Sequence, residues 1–147
     1  MRRIRVVVAD QSEARLFDAL EHGLALRHVS TLVDPDGRKH EHDLVTDRAG
    51  SGVSGGHGHY ALQHRSSHKE HEIGLFASQI AGRLAADFQS GQYDDIALVA
   101  APRFLGALRK ALPPALHVRV KHEIHHDLVH QSEAVIRAHL PVRWSEP

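Results

Sequence analysis

The sequence has no cysteine, no net charge at neutral pH and no long apolar run. Without cysteine there is no disulfide framework, no thiolate metal site and no cysteine nucleophile. The totals of 18 basic and 18 acidic residues are equal, so no chain-wide positive field draws the protein onto nucleic acid. Any contact with RNA must therefore come from a local patch.

The sequence also lacks the roughly 20 consecutive apolar residues that span a bilayer. Its first residues, MRRIRVVVAD, lack the apolar core and the cleavage site of a signal peptide. We therefore expect a cytoplasmic protein with no membrane partner. The 147 residues, 41% of them apolar, are enough for one core, and we expect residues 1–147 to form a single domain.

Three strand patterns open the chain. Residues 3–9, RIRVVVA, are apolar on both faces, as in a central strand. ARLFDAL and LALRHVSTLV follow, and the last of these ends at the turn DPDG. Residues 34–66 are then rich in Gly, Asp, His and Ser, which predicts a long Gly/His-rich loop.

A helix pattern follows this loop, with apolar residues recurring every three or four positions at Ile73, Phe76, Ile80, Leu84 and Phe88. Ser67 and Glu70 fit a capping box, so the predicted helix begins near Ser67.

The rest of the chain alternates strands and helices. YDDIALVAA suits a buried parallel strand, PRFLGALRKAL a helix that begins at Pro102, ALHVRVKHEI a strand, and the segment from Ser132 to about Leu140 a short helix. The order βββαβαβα predicts an α/β fold with a five-stranded mixed sheet, in which an antiparallel meander is followed by two βα crossovers. This is the plan of the ribonuclease H-like architecture.

Nuclease chemistry of that architecture needs carboxylates at particular strand ends to hold two divalent ions. Asp10 follows the first strand, but Asp94 and Asp95 stand at the start of the fourth, whose other end reads VAAPRF. The pattern favours Asp10 as a turn residue. A serine-nucleophile elbow and a phosphate-binding P-loop are also missing.

Histidine is abundant, at 15 residues, and side chains of this type gain positive charge near pH 6.5. A zinc site is an alternative for some of them, because His57 and His59 form His-x-His and His68 and His71 lie one helical turn apart. No established zinc motif is present, so the spacing favours scattered surface histidines and no cofactor.

Four segments carry a resemblance to a known family: VVVADQSEARLF, DLVTDRAGSG, LVAAPRFLGALRKAL and HHDLVHQSEAVIRAHL. In this order they resemble the bacterial host-attachment protein family along nearly the whole chain. That family in turn resembles the middle domain of archaeal and eukaryotic peptide-chain release factors. This domain has a ribonuclease H-like fold and carries a Gly-Gly-Gln loop that enters the peptidyl-transferase centre before a long helix.

The resemblance places Gly55 and Gly56 where the release factors have their glycine pair, but His57 stands in place of the glutamine. A backbone N–H survives that change, whereas the side-chain amide that helps to orient water does not. No codon-reading domain accompanies the loop. Stop-codon-dependent release is therefore not expected from this chain alone.

Three hypotheses follow. The first is a translation-associated protein that contacts the ribosome or RNA through backbone flexibility and cationic side chains, at Arg48, Gly52, Gly55, Gly56, His57, Gly58, His59, Arg65 and Lys69. The second is a non-enzymatic attachment or interaction protein whose loop binds another protein or a divalent metal through His57, His59, His68 and His71. The third is hydrolysis of a peptidyl or aminoacyl ester with His57 as general base.

Overall fold

The computed structural model describes residues 2–20, 25–34 and 58–144, with side chains described from residue 68 onward in the last range. Its five strands are β1 (Arg3–Ala9), β2 (Glu13–Leu20), β3 (Arg27–Val33), β4 (Asp95–Val99) and β5 (Val120–Ile124). They form one sheet in the order β3-β2-β1-β4-β5. β1 and β2 pair antiparallel, as do β2 and β3, whereas β1, β4 and β5 run parallel. The predicted mixed α/β sheet is confirmed.

β1 lies at the centre of the sheet because both of its faces are apolar. Ile4, Val6 and Val8 point to one face and Val7 to the other, and each is at most 2% exposed. A strand buried on both sides needs strands on both edges and layers on both faces. The central position predicted for residues 3–9 is confirmed.

The helices are α1 (Gly58–Gln89), α2 (Pro102–Ala111), α3 (Pro114–His117) and α4 (Glu133–Ala138). α1 and α2 cover the face of the sheet that carries Val7 and Leu98. α4 and the segment around Trp144 cover the face that carries Val6 and Val99. Of the helices in the described ranges, none combines the length and apolarity that crossing a membrane requires.

α1 starts earlier than its sequence pattern predicts. It begins at Gly58 and not near Ser67, so the predicted capping box at Ser67 and Glu70 is wrong: both residues lie inside the helix. The part of the predicted loop from 58 to 66 is therefore helical, and residues 35–57 lie outside the described residues. Periodicity missed these turns because residues 58–66 have few apolar residues at helical spacing.

The approach to β5 also differs from the prediction. Residues 114–117 form α3, and the strand begins at Val120, so the strand predicted from Ala115 starts too early. Leu116 is buried on α3, whereas Val118 is 66% exposed. Apolar residues at every second position over so short a run fit either structure, and Pro114, at the first position of α3, favours a helix start.

The two remaining helices begin where predicted. Pro102 is the first residue of α2. Ser132 is the N-cap of α4, and its side chain accepts a hydrogen bond from the backbone N–H of Val135, which satisfies one of the free donors of the first turn.

One of the buried charged side chains, that of Arg5, is completely inaccessible to solvent. Arg5 on β1 is 0% exposed, and its guanidinium donates hydrogen bonds of 2.6 Å to both Asp18 and Asp87. Burial alone would lower the pKa of Arg5, but these two partners outweigh burial and raise it. The network ties β1 and β2 to the C-terminal part of α1, and burial also raises the pKa of the neighbouring Tyr93.

Candidate functional site

α1 divides into two parts that differ in what they contact. From Ile73 onward the apolar stripe Ile73, Phe76, Ala77, Ile80, Ala81 and Leu84 is buried against the sheet. Before it, residues 68–71 are all exposed. We call residues 73–89 the sheet-packed part and residues 58–72 the projecting part. At 1.5 Å per residue the projecting part is about 22 Å long.

The side chains of residues 68–71 are polar and exposed. Lys69 and His71 are exposed, and His68 lies 3.8 Å from Glu72, one turn further along the helix. Glu70 is 69% exposed, and its carboxylate lies 3.9 Å from the guanidinium of Arg103 on α2.

The packing of α2 against α1 brings Arg103 to this position. The rings of Phe76 and Phe104 lie 6.0 Å apart between the two helices, and aromatic pairs at this separation attract. Arg103 directly precedes Phe104 and is 57% exposed. Ala101, the N-cap of α2, makes no side-chain capping hydrogen bond. The start of α2 therefore lies beside Glu70 of α1.

The structure places only some of the predicted RNA-contacting residues. Lys69 is exposed on α1. Gly58, His59 and Arg65 lie on the backbone of the projecting part, where side chains are not described. The remaining members of the predicted set lie outside the described residues: Arg48, Gly52, Gly55, Gly56 and His57. The described residues thus place the C-terminal end of this set on a projecting helix and do not show the set assembled.

The described residues supply two histidines for the predicted metal site and no third ligand. His68 and His71 lie near each other on α1, as their spacing predicted. Among residues whose side chains the structure describes, no group of three histidine or carboxylate ligands could hold an ion. His57 lies outside these residues, and His59 is described only by its backbone.

Asp10 acts as a turn residue, as the sequence indicated. Its Oδ1 accepts hydrogen bonds from the backbone N–H groups of Ser12 and Glu13, at 2.9 and 2.8 Å. The imidazole of His130 lies between Asp10 and Glu13, at 3.4 and 3.5 Å. Arg15 donates to the carbonyl oxygens of residues 129 and 131 on either side of that histidine, so these contacts dock the segment after β5 onto the β1–β2 turn.

The other acidic residues considered for nuclease chemistry form ion pairs at the opposite edge of the sheet. Asp95 pairs with Arg2 at 2.6 Å. Asp94 accepts a hydrogen bond of 2.8 Å from the backbone N–H of Arg3, which lowers the pKa of that carboxyl group, and the Arg3 side chain lowers it further. These carboxylates do not converge with Asp10, which agrees with the sequence-based argument against a two-metal nuclease.

Sequence reasoning missed Glu70 and Arg103 as neighbours, and it missed the contact of His130 with Asp10. Both are contacts between residues far apart in the chain, and pattern analysis of one sequence gives no direct signal for them. One indirect signal existed for Arg103. It follows Pro102 directly after a buried parallel strand, the position from which a helix start faces the carboxyl edge of a sheet.

Comparison with known proteins identifies the family. A model of the family described as "Protein required for attachment to host cells" matches residues 5–140. The chain belongs to this host-attachment family. No curated protein matches.

A solved structure titled "Archaeal protein" is similar to this host-attachment chain at 11% identity, with a TM-score of 0.37. The match covers 92% of this chain and 35% of the archaeal one. The host-attachment chain therefore spans about a third of that protein.

Proposed function

We propose that this host-attachment family protein is a cytoplasmic, non-enzymatic RNA-contacting protein that associates with the ribosome through the projecting part of α1 and the Gly-rich residues before it. One observation carries the proposal: in a helix of 32 residues, residues 68–71 are all exposed, and burial in the core begins at Ile73. The exposed residues 68–71 can contact a partner.

The chemistry of the projecting part is suited to RNA. Lys69 presents a cation in solvent, and the exposed imidazoles of His68 and His71 add polar groups beside it. Contacts of this kind with phosphate position a protein on RNA without reading its sequence. Because the chain as a whole is neutral, binding depends on this local surface and is sensitive to salt.

The resemblance to release-factor middle domains supports the same placement. Those domains carry their glycine-rich loop before a long helix, and Gly55 and Gly56 precede α1 in this sequence. The sheet order β3-β2-β1-β4-β5, with β2 antiparallel to β1, is compatible with the ribonuclease H-like architecture that we propose for the chain. His57 in place of glutamine is the reason to propose binding without hydrolysis.

Co-sedimentation with purified ribosomes tests the proposal. We expect wild-type protein in the ribosome pellet at low salt. We expect most of it to be absent from the pellet after Gly55→Ala/Gly56→Ala substitution or deletion of residues 51–57, since both changes alter the segment that leads into the helix.

Gly82→Ala is the matched control, because Gly82 lies on α1 with open space around an added Cβ. That variant should sediment like wild type. Wild-type protein that stays in the supernatant at every salt concentration would contradict the proposal.

A further inference from the structure

α1 and α2 leave an open groove between them on the outer surface of the protein. Its volume is about 480 Å³. Its lining consists of Glu70, Ile73, Gly74, Ser78, Arg103, Gly106, Ala107, Lys110 and Ala111. The groove begins beside the projecting part of α1 and runs along α2 toward its C-terminal end.

Glycine and alanine residues make up much of the lining of this groove. A Cβ atom added at Gly74 or at Gly106 would meet no atom within 4 Å. Among the described residues, no packing therefore requires glycine at either position, although glycine is unfavourable in a helix interior. Short side chains along both helices let an extended chain lie close to the two helix backbones.

The charges at the groove are mainly positive. Arg103 and Lys110 are exposed along its α2 side, and the exposed Lys69 directly precedes Glu70 on α1. Glu70 is the acidic residue of the lining. Its contact with Arg103, at 3.9 Å between exposed groups, is of a kind that contributes little to stability. A phosphate can therefore replace Glu70 as the partner of Arg103 at small cost.

We propose that this groove binds a single RNA strand that continues from the projecting part of α1, with Arg103 and Lys110 contacting its phosphates. The inference rests on the proposed RNA-contacting function. Two features select RNA as the occupant: the charge of the groove complements a phosphodiester backbone, and the groove is continuous with the projecting part. The small side chains of the lining admit such a backbone without a demand for base sequence.

The test measures binding of a fluorescently labelled oligouridylate by anisotropy over a range of salt concentrations. In the Arg103→Gln/Lys110→Gln variant we expect the affinity at low salt to fall at least about tenfold. We also expect the slope of log affinity against log salt to decrease by about 1.4, because each single-strand phosphate that the variant no longer neutralises reduces it by about 0.7. Circular dichroism confirms that the variant is folded.

Arg109→Gln is the matched control, because Arg109 lies on the same helix but pairs with Glu123 on β5. It should leave the affinity and the slope nearly unchanged. Glu70→Gln gives the sign test: removal of a carboxylate that competes with phosphate should tighten RNA binding. If a second copy of the chain filled the groove through reciprocal contacts of Glu70 and Arg103, this change would instead weaken self-association and leave RNA binding unaffected.

The outcomes separate the groove from the wider proposal. If wild-type protein binds the oligouridylate but Arg103→Gln/Lys110→Gln binds with the same affinity and slope, the groove inference is overturned and the RNA-contacting function stands. If wild-type protein binds neither the oligouridylate nor ribosomes, both are overturned. A reduced slope together with tighter binding by Glu70→Gln supports the groove.

Discussion

The two parts of α1 share one continuous helix and differ in what stabilises them. The sheet-packed part buries Phe76, Ile80 and Leu84 almost completely. The projecting part exposes residues 68–71. Burial of apolar surface supplies most of the stability of a helix in a protein, whereas an isolated helix of about 15 residues is marginal in water. The exposed residues 68–71 therefore contribute little to folding, and their substitution should affect binding.

The largest expected effect is in the sheet-packed part. Phe76→Ala should destabilise the protein by about 4 kcal/mol, because it removes a fully buried ring and leaves a cavity next to Phe104. Leu75→Ala is the control, since Leu75 is the adjacent residue and is 51% exposed; it should change stability by less than about 0.5 kcal/mol. Urea denaturation measures both, and equal losses would show that the two faces of α1 do not differ as described.

Arg5→Met should lower the free energy of unfolding by about 3 kcal/mol. Arg5 is completely buried, and its replacement takes a hydrogen-bonded cation from both Asp18 and Asp87. Arg83→Met removes the other arginine that contacts Asp87, but Arg83 is 36% exposed, so the expected cost is below about 1 kcal/mol. The difference between the two midpoints of urea unfolding checks this. If Arg5→Met leaves the stability unchanged, the network does not tie the sheet-packed part to β1.

Substitution of alanine for two glycines should change the stability of the protein in opposite directions. Gly74→Ala should stabilise the protein by about 1 kcal/mol, because the residue is helical and the added methyl group has open space. Gly91→Ala should destabilise it by about 1 kcal/mol, since Gly91 follows the end of α1 with a φ of 73°. Thermal unfolding distinguishes them. A loss of stability in Gly74→Ala would show that the groove is closed in solution.

The smallest expected effect lies at the opposite edge of the sheet. The pKa of Asp94 is lowered by the backbone N–H of Arg3, so the ionised carboxylate stabilises the fold above its ordinary pKa of about 3.8. This contribution is lost as the pH falls through the lower, folded-state value. Asp94→Asn should therefore cost less than about 1 kcal/mol at neutral pH, and the difference from wild type should shrink as the pH falls below 3.8. A constant difference over that range would contradict the account.

Much of the fold could be predicted because burial leaves a periodic record in sequence. The apolar residues of β1 and the stripe from Ile73 to Leu84 report directly which faces pack. The start of α1 was mispredicted because residues 58–66 have few apolar residues at helical spacing and leave no such record. Arg5 was equally hard to interpret, because an arginine in a strand gives no sign of burial until its partners are known.

The candidate site could be predicted only in part. The sequence identified Lys69, His68 and His71 by residue type, but it did not place Arg103 or Lys110 beside them. Those positions depend on how α2 packs across α1 through Phe76 and Phe104. A surface built from two helices is a property of tertiary structure, and one sequence does not encode it in a local pattern.

The central claim is that the projecting part of α1 contacts RNA on the ribosome. The most direct measurement compares ribosome binding of wild-type protein, Lys69→Gln/His71→Gln and the control Lys121→Gln, whose lysine is exposed on β5. We predict that the α1 double variant binds at least about fivefold more weakly at low salt and keeps wild-type stability, while Lys121→Gln binds like wild type. Equal binding by all three proteins would contradict the account.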